Sequence, residues 1–212
     1  MKAAICVAAC LLAGCAGQHV KLGASERAAL ASEAVHVVHL PAAKMFFVES
    51  SGYTAAGVLF SPLVVLAQAA EAKSLMDELK LEDPVARVKE RLAAALESEL
   101  RIAKVNRLER APERSDPESL RKALGTGVVL QVRTENWRID NNRAKYSASA
   151  QLVRLSDGVT LWHAVCPDSI ADKDKPSPTT EQLKANGGEL LKAKLAQAAD
   201  ACADALVRWA FS

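Results

Sequence analysis

Hydrophobic and polar positions recur along this chain in two rhythms, one helical and one extended. Val35-His36-Val37-Val38-His39-Leu40 is a short apolar run closed by Pro41, and it reads as a strand. Lys44 to Glu49 reads as a second strand or as the continuation of the first. Ser61-Pro62 pairs a capping residue with the imino acid favoured at the first helical position. Behind it Val65, Ala69, Ala72, Met76 and Leu79 recur at helical spacing, which predicts a helix over about 62–80. Asp83-Pro84 repeats the start signal. Val85, Val88, Leu92, Leu96 and Leu100 then form one stripe, with Arg87, Lys89, Glu90, Arg91 and Glu97 assigned to water. Ile102 to Leu108 reads as a strand. Asp116-Pro117 opens a short helix with Leu120 and Leu124 inward and Gly125 as its stop.

From Thr126 the rhythm turns extended. Val128 to Ile139, Arg143 to Leu155 and Val159 to Cys166 read as three antiparallel strands. Asp140-Asn141-Asn142 and Asp157-Gly158 are the turns between them. Tyr146, Ala148, Ala150 and Leu152 share one face, and the two alanines leave room for a helix to approach. Pro167 to Gly188 is polar and reads as a loop. A final helix over about 189–209 carries Leu191, Leu195, Ala198, Cys202, Ala205 and Trp209 on one stripe. The fold class is therefore α+β: a mixed or antiparallel sheet with a three-stranded C-terminal meander (about 127–166), and helices on one face.

The N-terminus follows different rules. Lys2 precedes an uncharged run from Ala3 to Leu12, which is too short to span a bilayer. The run ends in Leu12-Ala13-Gly14-Cys15, which resembles the lipobox of bacterial lipoproteins. That resemblance implies cleavage before Cys15, acylation of its thiol and a stable anchor made of several chains. Ala16 in place of an aspartate implies the outer membrane, periplasmic face. The organisation expected is a cleaved signal at 1–14, a lipidated tether at 15–34 with Ser25 capping a short helix, and one domain over 35–212. Cys6 and Cys10 leave with the signal. Cys166 and Cys202 remain, in a compartment where disulfides persist. One ends a strand and the other lies on the helix face that packs on the sheet, so they are expected to pair. The closed loop of 36 residues is worth roughly 3–4 kcal/mol in the chain-entropy model.

Composition narrows the function classes. Aromatic residues make up 4% of the chain, and the net charge is +2 with both signs interspersed. No basic tract of the kind nucleic acid needs is present. Ser50 to Ala70 carries no charge, and is read as a mobile loop leading into a core helix, or as a surface for lipid or identical subunits. His36 and His39 would fall on opposite faces of one strand, unsuited to a shared metal. No nucleophile–base motif, phosphate loop or metal motif occurs, and His163 beside Trp162 is read as a strand residue with Asp157 or Asp168 as its nearest candidate partners.

The order of elements and the hairpin Leu155-Ser156-Asp157-Gly158-Val159-Thr160-Leu161-Trp162 resemble the small α+β domains of envelope proteins. These are the TolB N-terminal domain, the lipoproteins that activate peptidoglycan synthases, and the curli-secretion lipoprotein. The resemblance runs from Val85 to Cys166, and the apolar stretch at 50–70 departs from it. It implies an accessory role in envelope assembly; with no catalytic motif, metal cluster or basic tract in the sequence, a non-catalytic role with no cofactor, no metal and no nucleic acid is expected. The expected partners are the membrane, through the Cys15 lipid, and another envelope protein or the chain itself. The alternative is a subunit of a homo-oligomeric secretion or transport assembly using 50–70. The meander edge and Asn141 at the turn tip are the candidate contact residues, while Trp137 and Trp162, on one sheet face, are read as packing against a helix or, alternatively, as a binding patch.

Overall fold

The computed structural model describes residues 20–42, 47–49, 62–109, 116–172 and 174–211. The lipobox with Cys15, most of the uncharged stretch (50–61) and the tether before Val20 lie outside them. The elements are α1 (Ala24–Leu30), β1 (Val35–Leu40), β2 (Phe47–Glu49), α2 (Pro62–Leu79), α3 (Val85–Glu99), β3 (Val105–Arg107), α4 (Pro117–Leu124), β4 (Val128–Asp140), β5 (Arg143–Arg154), β6 (Thr160–Val165), β7 (Ser169–Ile170) and α5 (Thr180–Phe211).

The strands make one mixed sheet in the order β3-β1-β4-β5-β6. β2 also pairs with β4, and β7 with β5. β1 runs parallel to both β3 and β4, whereas β4, β5 and β6 form the expected antiparallel meander. The β4–β5 turn is made by Asn141 and Asn142 at φ 48° and 58°. Asparagine tolerates this left-handed pair, whose twist matches the flanking strands.

Alternation along the strands builds two cores. Val35 and Val37 of β1, Val128, Leu130 and Val132 of β4, and Ala144 through Leu152 at every second position of β5 share the large core with α2, α3 and α5. Val38, Leu40, Val129 and Val153 point the other way and are covered by Leu120 of α4. Most helical mass is therefore on one face, as expected, with the short α4 on the opposite face. α4 is capped by the Asp116 carboxylate, which accepts from the Ser119 N–H at 2.9 Å, and it ends at Gly125 with φ 83°.

Val85, Val88, Leu92 and Leu96 are buried along α3, each contributing roughly 1.5–3 kcal/mol. Lys89 departs from its expected place in water. Only 7% exposed, it donates to the Leu108 carbonyl at 3.1 Å and pairs with Glu90. Arg87 and Arg91, on the outer side, pair with Asp200 and Asp204 of α5 and fix the two helices in register.

α5 is interrupted by Asn186, Gly187 and Gly188, all at positive φ, so its uninterrupted part begins at Glu189 as the sequence suggests. Its buried stripe is Leu191, Leu195, Ala198, Ala199, Cys202, Ala203, Leu206 and Ala210. Trp209 was expected on that stripe but is 36% exposed, because the buried face continues through positions 206 and 210. Cys166 and Cys202 are joined by a disulfide, with Cα atoms 5.5 Å apart, and both residues are fully buried.

The tether reading is corrected over 20–34. Val20 exchanges both backbone hydrogen bonds with His163 of β6, at 3.0 and 3.1 Å. Leu22 and Leu30 are 3% and 1% exposed and belong to the main core. α1 begins behind Gly23 with no side-chain cap, and Ser25 instead donates to Glu26 at 2.9 Å. Two buried leucines decide the matter: a solvated tether would forfeit their burial.

Candidate functional site

Two polar constellations stand out, one beneath the helices and one at the end of the meander. The first begins at Asp83, read from sequence only as a helix-start residue. Its Oδ1 accepts from the Val85 N–H at 3.0 Å, satisfying one open donor of α3, and from the Thr134 hydroxyl at 2.6 Å. Thr134 has one proton and commits it to the carboxylate. The Tyr146 hydroxyl, 2.8 Å away, must therefore donate to Thr134 Oγ1. Thr134 and Tyr146 are fully buried.

Burial pushes the Asp83 carboxyl above its ordinary value, against the pull of these hydrogen bonds. The Tyr146 hydroxyl is raised by burial and then by the Asp83 charge. His39 projects to the same face as Val35 and Val37. Desolvation, then the Lys89 charge, lower its pKa. His36 lies on the opposite side, with Nε2 3.4 Å from the Thr126 carbonyl. The relay ties the start of α3 to the middle of β4 and β5, beside the irregularity between Thr134 and Asn136.

This geometry predicts different outcomes for two substitutions. Asp83→Ala leaves the Val85 N–H and the Thr134 hydroxyl without their acceptor, and should cost about 1–3 kcal/mol in urea unfolding. Asp83→Asn keeps an acceptor and removes the buried charge, so it should lie close to wild type at neutral pH. The pH dependence follows from the raised carboxyl. Ionised Asp83 opposes folding above its folded pKa. That penalty is relieved as pH falls toward the unfolded value of about 3.9. The relief should be absent from the stability profile of Asp83→Asn.

The second constellation is an open cleft of about 420 Å³ at the far end of the β4–β5 hairpin, between Asn142, residues 171–172 and 175–178, and α5. Arg143 builds its wall by donating to Ser177 Oγ at 2.9 Å, to the Asp172 carbonyl at 3.3 Å and to the Lys175 carbonyl at 2.9 Å. The Asp172 carboxylate takes Lys194, Lys175 at 3.1 Å and Gln197 at 3.3 Å. Lys194, followed by Lys175, holds its pKa down at about 2. Thr179 and Gln182 form a reciprocal capping box at the start of α5, at 2.8 and 3.2 Å. Thr180 donates to Asn142 at 3.1 Å and ties that helix start to the turn. Sequence reading treated this stretch as a polar loop. Its signals were the Thr179–Gln182 spacing and the prolines Pro176 and Pro178, which line the cleft.

Of the expected contact residues, only Asn141 remains at the surface, where its amide donates to Asp140 at 2.8 Å. Trp137 and Trp162 are each 2% exposed and belong to the main core, so of their two readings packing holds and the binding patch is corrected. Both rings lie on the helix-facing side of the sheet, in the core shared with α2, α3 and α5. Asp157 pairs with Arg154 and Asp168 with Arg138, so both carboxylates proposed for His163 are engaged elsewhere. Among the described residues no group of three or more His, Cys, Asp or Glu is placed to hold a metal ion. Among them, no helix is long and apolar enough to cross a membrane.

No family model matches the chain, and no curated protein matches it. Solved structures with similar architecture include protein XCC0632 from Xanthomonas campestris (18% identity, 85% of this chain and 84% of that chain, TM-score 0.39). The lipoprotein GNA1162 from Neisseria meningitidis is similar at 17% identity (79% and 99%, TM-score 0.27). The PelC dodecamer from Paraburkholderia phytofirmans is similar at 14% identity (78% and 84%, TM-score 0.33).

Proposed function

We propose that this chain is a lipoprotein of the bacterial outer membrane, anchored through Cys15 on the periplasmic face, and that it acts by binding another envelope component rather than by catalysis. The observation that carries the reading is the fully buried Cys166–Cys202 disulfide, which clamps the meander to α5. Such bonds persist in exported proteins and are rare in the reducing cytosol. It supports the same compartment as the lipobox at Leu12 to Cys15. The binding surface assigned is the cleft end of the hairpin, where Asn142, Lys175 and the two prolines border an open, pre-built recess.

Cys15→Ser tests the anchor. It removes the acyl-accepting thiol and should move the protein from the membrane pellet to the soluble fraction, read by fractionation and immunoblot. Crosslinking in intact envelopes tests the binding role. Wild-type protein should capture one distinct envelope protein, and Lys175→Glu at the exposed cleft rim should lose most of that capture. Recovery of the chain itself as a large oligomer, unaffected by the cleft substitution, would instead favour a self-assembling subunit.

A further inference from the structure

The point where the chain leaves the domain toward Cys15 is fixed. Val20 is pinned to His163, and the five residue steps from Cys15 to Val20 span at most about 18 Å. A lipidated Cys15 therefore keeps this corner of the domain close to the headgroups.

The surface around that corner has a distinct chemistry. Arg27 reaches from α1 and donates to the Leu22 carbonyl at 3.2 Å and to the Ala210 carbonyl at 3.3 Å. One guanidinium thus binds the segment following Val20 to the C-terminal end of α5. The chain neighbours of these two carbonyls are Val20 and Lys21 on one side, and Arg208 and Trp209 on the other. Val20 and Trp209 are 39% and 36% exposed, two of the few large apolar side chains at the surface among the described residues. Lys21 and Arg208 are exposed as well; the acidic residues near them are Glu26 on α1 and Asp204, one turn before Arg208 on α5 and paired with Arg91. A partly exposed tryptophan flanked by cations matches the bilayer interface, where indole sits at headgroup level and Lys or Arg meets phosphate.

We propose that the surface made by Val20, Lys21, Arg208 and Trp209, held together from within by Arg27, rests on the phospholipid headgroups and sets the orientation of the whole domain. This rests on the lipid-anchor reading and adds a direction to it. Lys194, on the cleft wall, precedes Trp209 by 15 residues of continuous helix, roughly 22 Å along α5. The cleft then stands away from the membrane, presented to a partner in the periplasm.

The test uses the full-length lipidated protein in vesicles of phosphatidylethanolamine and phosphatidylglycerol, with acyl chains brominated near the headgroup. Trp137 and Trp162 are buried and supply an unquenched background, while Trp209→Phe identifies the third indole. Emission should fall in brominated relative to plain vesicles, and the fall should vanish in Trp209→Phe. Flotation is measured on the same samples. Protein that floats without Trp209-dependent quenching overturns the proposal and leaves the anchor standing. Protein that does not float contradicts the anchor, and the proposal with it.

Discussion

Replacing both cysteines of the Cys166–Cys202 bridge by alanine should lower unfolding stability by about 3–4 kcal/mol, the chain-entropy value for a closed loop of 36 residues. The loop contains the polar stretch from Pro167 to Gly188, and without the bridge the whole loop is released in the unfolded chain. For a domain of this size the change corresponds to a fall in Tm of roughly 6–16 °C. Urea unfolding of the double variant against the oxidised wild type measures it. Reduction of the wild type should reproduce most of the loss, because the same loop is opened. A loss below about 1 kcal/mol would mean that the strand and helix around the bridge hold together without it.

Trp162→Ala should cost about 3–5 kcal/mol, the largest effect expected of a single core substitution. The ring lies in the main core on the same sheet face as Ala148, Ala150 and Ala164, across from the alanine-rich stripe of α5. These small residues bring helix and sheet close together, and Trp162 fills the remaining space. Trp162→Phe keeps an aromatic ring in that space and should recover most of the loss. The pair of variants separates packing from contact: Trp162→Phe should capture an envelope partner as well as wild type does. A folded Trp162→Ala with unaltered stability would contradict the burial described here.

What the sequence made legible, and what it left hidden, divides along a physical line. Periodicity identified α3, the uninterrupted part of α5 and the three meander strands, because each buries one face against a large partner. The disulfide was legible too, since one cysteine falls on the packing stripe of α5 and the other follows β6. Sequence reading failed where long-range contacts decide. The segment over 20–34 looked like a tether because Leu22 and Leu30 are isolated leucines in polar surroundings, yet both reach the core. Lys89 looked solvated by its spacing, but a carbonyl from the chain after β3 waits beneath it. The Asp83–Thr134–Tyr146 relay joins residues 51 and 12 positions apart, and no local pattern announces such contacts. Trp137 and Trp162 were correctly placed on strands. Whether their face met water or helices depended on how the helices pack on the sheet.

The cleft was hidden for a related reason. Its walls are made by Arg143 bonding to a stretch whose composition suggests only a loop. In the sequence that arginine only opens the second meander strand. Hydrogen bonds from it to Asp172, Lys175 and Ser177 hold described residues of an otherwise irregular segment against the hairpin. Ordered irregular backbone beside an open recess is where binding residues tend to gather.

The measurement that tests the account most directly is the intact mass of the protein extracted from bacterial envelopes. The account predicts a chain beginning at Cys15, heavier than its sequence by a diacylglycerol and further acyl substitution, with Cys166 and Cys202 resistant to alkylation until reduced. A chain that retains residues 1–14, or one that carries Cys15 as a free thiol, would contradict it.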